Sequence, residues 1–199
     1  EAEWTGRLAV KEPHPDRRER IENIRHIVEH ELLDVADVAW KDADEVDDET
    51  LHRTHDPAYV AEFREFCENG GGRLTAETGC NEASYAAARY AAGAAVQAVE
   101  HAVEGDDVPY ALVRPSGHHA QPAQADGFCF FNNVAVAADH AIATGLAETV
   151  AVVDWDVHHG NGTQECFYDR DDVLFVSLHN DHWSWDPEAH PQSGDVDEY

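Results

Sequence analysis

Three short apolar runs, at residues 110–113, 149–153 and 173–178, alternate with stretches patterned as helices. A helix of small residues starts at Asn132 or Asn133 and ends near Gly145, and a shorter one covers 163–168. Strand–helix–strand–helix–strand with these lengths predicts an α/β chain whose central parallel sheet is covered on both faces. In such sheets ligands sit at the carboxyl ends of the strands. Upstream, residues 16 to about 33 read as a helix with Ile21, Ile24, Ile27 and Val28 on one face. An acidic loop at 34–49 follows. Asp56-Pro57 opens a second helix that ends near Gly70, where three glycines break the chain. Asn81 is expected to cap a long alanine-rich helix reaching about Glu104, stopped by Gly105.

The chemistry gathers just after these strands. Asp154, Asp156 and His158 stand at i, i+2 and i+4 behind an apolar run, so an extended chain projects them the same way. Two carboxylates and an imidazole at a buried strand end make part of a metal site, with Asp156 and His158 as the ligands. Asp154 lies deeper, where a carboxylate needs a partner. It suits either orienting a histidine or helping backbone carbonyls hold a monovalent cation. After the first run come His118 and His119, whose ordinary pKa near neutrality suits acid–base work beside a metal. Gly127 and Phe128 open an aromatic segment in which Phe128 can line a channel, whereas Phe130 and Phe131 read as core.

The formal charge of −28 argues against direct nucleic acid binding, because such a surface repels phosphates. It can attract cationic substrates. The acids are spread along the chain, as in halophile-like proteins, and only Lys11 and Lys41 are lysines. Cys67, Cys80, Cys129 and Cys166 form no CxxC pair and read as free thiols in a reducing, cytoplasmic setting. No apolar run suits a membrane span.

The motifs Arg114-Pro115-Ser116-Gly117-His118-His119-Ala120, Gly127-Phe128-Cys129-Phe130-Phe131-Asn132-Asn133 and Asp154-Trp155-Asp156-Val157-His158-His159-Gly160-Asn161-Gly162-Thr163-Gln164 occur in this order. Val176-Ser177-Leu178-His179 follows. With these the chain resembles the histone deacetylase superfamily, including its class II-like members and the acetylpolyamine amidohydrolases. The resemblance implies an arginase/deacetylase-like three-layer fold. It also implies a single domain over 1–199 whose C-terminal part, with the third zinc ligand and an oxyanion-stabilising tyrosine, is absent. The activity implied is zinc-dependent hydrolysis of acetylated amines by metal-activated water, with acetyl-lysine of proteins as substrate. Acetylpolyamine or another small molecule is the alternative, and an inactive, metal-binding truncated relative is another.

Carried over by residue, Asp156 and His158 match zinc ligands, with Fe2+ or Co2+ as substitutes. His118 and His119 match the tandem catalytic histidines, Asp154 the partner of the first and Asn161 the partner of the second. Phe128, with Gly127 beside it, matches a channel wall. Asp154, Asp156, His158, Ser177 and Leu178 match a structural potassium site, largely through backbone oxygens. Phe167, Arg170 and Val173 match a second. Residues 182–199 are expected to border the pocket mouth.

Overall fold

The computed structural model describes residues 3–5, 11–14, 16–32 and 35–180. Residues 182–199, expected at the pocket mouth, lie outside them. The chain begins with an antiparallel pair, β1 (Glu3–Thr5) and β2 (Lys11–Pro13), followed by helix α1 (Arg18–Glu31). The apolar face of α1 is present as read, but no residue of the helix is buried. A short helix α2 (Asp48–Leu51) begins inside the segment expected to be loop, because the Asp47 carboxylate accepts from the Thr50 amide and closes a turn.

Helix α3 (Pro57–Glu68) starts where Asp56-Pro57 puts it, with Asp56 Oδ1 accepting from the Ala58 amide at 2.7 Å. The glycine break holds the start of a small antiparallel pair, β3 (Gly72–Arg73) and β4 (Gly79–Cys80). The long helix α4 (Ser84–Glu104) is preceded by Asn81, but the N-cap position itself is Ala83. Asn81 instead closes a turn by accepting from the Ala83 amide and the Ser84 hydroxyl. Gly105 ends α4 in an extended conformation.

Helix α5 (Asn133–Ala143) is capped by Asn132, whose Oδ1 accepts from the Ala135 amide at 3.2 Å. It leads into β5 (Val150–Asp154), α6 (Asn161–Phe167) and β6 (Val173–Ser177). β5 and β6 pair in parallel, from Val150 opposite Val173 to Asp154 opposite Ser177.

Two expectations change here. Residues 110–113 form no strand, and the described parallel sheet has two strands instead of three. The run is apolar enough for a strand but finds no neighbour among the described residues to complete a ladder, and Tyr110 stands 79% exposed. Among the described residues, helices pack on one face of the sheet. Ala135 and Ala138 of α5 and Phe167 of α6 pack with Val152 and Val173, while Val153 and Leu174, on the other face, are 53% and 64% exposed. The larger core lies between α3, α4 and α5, around Leu51, Val60, Phe63, Ala92, Phe131 and Val136.

Candidate active site

The tandem histidines leave residues 110–117 on a segment held from below. Gly117 packs against α5 so closely that a Cβ would meet the Asn133 amide nitrogen at 2.6 Å. The Thr163 amide donates to the His118 carbonyl at 3.1 Å, and Asn132 Nδ2 donates to the Ala120 carbonyl at 3.1 Å. The backbone of the dipeptide is therefore pinned on both sides. Asn132 and Thr163 also bond each other (Nδ2 to Oγ1, 3.1 Å), and the Asn132 amide donates to Nε2 of the buried His55.

The two imidazoles lie 4.0 Å apart between ring centres. His118 Nδ1 donates to Asp154 Oδ2 at 2.8 Å, and His119 Nδ1 donates to Asn161 Oδ1 at 2.6 Å. Each ring thus has its Nδ1 committed to its own acceptor. Burial, then the neighbouring His118 ring, push the His119 pKa down to about 4, against the opposing bond to Asn161. Burial alone would raise the Asp154 carboxyl. The hydrogen bonds from His118 and from the Asp156 amide outweigh it and hold Asp154 below its usual range. Gly160 is needed for this contact, since a Cβ there would stand 2.5 Å from Asp154 Oδ2.

Asp156 and His158 meet on the turn after β5. Asp156 Oδ1 lies 3.0 Å from His158 Nδ1, accepts from the His158 amide at 2.8 Å and stands 3.9 Å from His118 Nε2. Burial raises the Asp156 carboxyl less than the His158 amide and the neighbouring imidazoles lower it, so it stays below its usual range. One carboxylate and one imidazole, both half-exposed, converge beside the histidine pair. This donor set fits two corners of a tetrahedral zinc site. Among the described residues, no group of three or more His, Cys, Asp or Glu side chains is arranged to hold a metal. An open groove of about 370 Å³ runs past His118 and Asp156 along the end of β5.

The residues matched to potassium lie together. The Asp154 carbonyl accepts from the Leu178 amide at 2.8 Å, and the Ser177 hydroxyl lies 2.8 Å from His179 Nδ1 and 3.4 Å from the Gly160 amide. Of the second set, Arg170 is engaged by Asp172 and by the buried Asp139.

Gly127 and Phe128 form the two central residues of a tight turn, with φ of +49° and +70°, between paired Asp126 and Cys129. The Gly127 Cα rests against the His119 ring, where a Cβ would lie 2.3 Å from Cδ2. Phe128 holds this left-handed conformation without being glycine, at a cost of about 1–2 kcal/mol. The Thr78 hydroxyl accepts from its amide at 3.0 Å, and its ring meets His14 at 4.5 Å. Cys129 is fully buried and its thiol is pushed up to about 12 by that burial, which makes it inert. The supporting roles of Thr78 and His55, and those of Asn132 and Thr163 inside the quoted motifs, were not read from the sequence, because only the fold brings these side chains under the site.

A family profile described as Histone deacetylase domain matches residues 14–199. The chain is 47% identical to a histone deacetylase-like amidohydrolase of Pseudomonas aeruginosa over 75% of its own length and 41% of that protein. It is 45% identical to the human polyamine deacetylase HDAC10 over 69% of its length and 22% of that protein. The crystal structure of the HDA15 HD domain superposes with a TM-score of 0.79 at 38% identity, covering 85% of this chain and 48% of that one. The fold is therefore the arginase/deacetylase fold. The chain spans less than half the length of each of these proteins.

Proposed function

The chain belongs to the histone deacetylase domain family, and from that premise we propose that the complete protein is a zinc-dependent amidohydrolase that removes acetyl groups from acetylated amines, acetyl-lysine side chains of proteins foremost. Residues 1–199 are read as part of one deacetylase domain, the rest of which supplies a third metal ligand and an oxyanion-stabilising group. The observation that carries the reading is the pair of imidazoles, each fixed through Nδ1 by its own acceptor, beside the convergent Asp156 and His158.

Asp156 and His158 would hold the divalent cation, zinc or alternatively Fe2+ or Co2+, which supplies Lewis acidity toward the amide carbonyl and the attacking water. Potassium would be held around Asp154, Ser177 and Leu178. His119 Nε2 takes the proton of the water as its oxygen attacks the carbonyl carbon, and the amide C–N bond then breaks as His119 returns a proton to the leaving amine. Its bond to Asn161 keeps Nε2 turned to that task. His118, held by Asp154, gives electrostatic support. Gly127 and Phe128 form the wall against which the alkyl chain of the substrate lies.

The name of the human relative and the charge of −28 favour a second reading, an acetylated polyamine as substrate. Full-length protein should be assayed side by side on an acetyl-lysine peptide and on acetylspermidine, with metal content measured. His119→Ala is expected to lower turnover about 1,000-fold with metal content unchanged. Retained turnover removes His119 from the mechanism, and turnover of acetylspermidine alone selects the second reading.

A further inference from the structure

Well away from the strand ends, α1 carries His26 and His30, one turn apart and both exposed. Their rings stack with centres 4.2 Å apart and planes 29° from parallel. The His26 carbonyl lies 2.9 Å from His30 Nδ1, which leaves Nε2 as the other nitrogen of the His30 ring. Residues spaced four apart on a helix are neighbours, and two imidazoles so placed can grip one cation together. Two nearby carboxylates are already engaged: Glu22 accepts from Arg18 at 2.6 Å and Glu29 from Arg25 at 2.7 Å. Those arginines tie up the acids one turn before His26 and one residue before His30, and Glu31 stands five residues from His26, off the face the two imidazoles share.

We infer that His26 and His30 form a bidentate site for a borderline-soft divalent transition metal, of the Cu2+, Ni2+ or Zn2+ class. Two nitrogen donors with the remaining positions open to water select that class and reject Mg2+ and Ca2+, which demand oxygen. The chain's negative field raises the local concentration of any cation at this surface. This site is independent of Asp156 and His158 and of the proposed hydrolysis. Nothing in it implies chemistry; it binds.

The test is calorimetric titration of the full, untagged chain with NiCl2 and separately with MgCl2, in a buffer that does not chelate. His26→Gln, His30→Gln and the double variant are compared with wild type, and all retain Asp156 and His158. A fourth variant, H30Q/E31H, keeps the histidine count but places the second imidazole five residues from the first, off the shared face. The wild type should bind one more Ni2+ than the double variant. Each single variant and the shifted one should weaken that site about 100-fold, the loss expected when two linked donors become one. Far-UV circular dichroism checks that α1 persists in each. Equal stoichiometry in wild type and double variant, equal affinity in the shifted variant, or Mg2+ binding that depends on His26 and His30 would each overturn the site.

Discussion

Gly162 sits in the first turn of α6, and a methyl group there would stand 2.3 Å from the Ala120 carbonyl oxygen. In an unobstructed helix, alanine would stabilise by about 1 kcal/mol over glycine. Overlap with fixed backbone costs about 3 kcal/mol, so the collision decides the sign. G162A is expected to lose about 2 kcal/mol, read from the urea midpoint, and an unchanged or raised midpoint would contradict the packing. His55 supplies a second test. It is buried, its Nδ1 faces the carbonyls of Gln121 and Pro122, and its Nε2 accepts from the Asn132 amide. Burial pushes its pKa down to about 4, the carbonyl contacts opposing. The unfolded chain, with the ordinary value of 6.5, therefore binds the proton more readily than the folded one. The His55 contribution is whole above pH 6.5 and drains away as pH falls toward 4, by about 3 kcal/mol. Denaturation at pH 7 and pH 4.5 should show that loss in the wild type and a smaller one in H55N.

Among the elements, the N-terminus of α5 joins fold to site. Asn132 caps the helix and also donates to the Ala120 carbonyl and to Thr163. N132A removes a cap worth about 1 kcal/mol and strands buried acceptors at about 2 kcal/mol more. The expected loss is about 3 kcal/mol, visible as a lowered thermal midpoint, and a midpoint within a degree of wild type would refute this double duty. The elements whose signals are local were legible in the sequence. Asp56-Pro57 starts α3, Asn132 starts α5, and the apolar runs of β5 and β6 fall within a residue of their observed bounds. The segment at 110–113 was misread because an apolar run reports a preference for a strand and carries no information about its neighbour. Asp154, Asp156, His118 and His119 were readable from type and spacing. Thr78 and His55 were not, because their partners, the Phe128 and Asn132 amides, lie 50 and 77 residues away.

At the scale of the molecule, charge is the first term. Forty-one acids against thirteen Lys and Arg make the folded chain repel itself, and most of the acids among the described residues are exposed and open to screening. The thermal midpoint should climb between 0.1 and 2 M KCl, and a flat or falling curve would show that self-repulsion is unimportant. Among the described residues no helix is long and apolar enough to cross a membrane. The second term is the side of the β5–β6 pair that stands exposed among the described residues, where Val153 and Leu174 meet solvent together with Trp155 at 81% exposure. Ligand screening on this polypeptide inherits a complication from that side. Greasy compounds will accumulate there regardless of the imidazole pair, so a dissociation constant obtained by simple titration sums two populations. Only the fraction of signal that vanishes when Asp156 and His158 are replaced reports on the pocket.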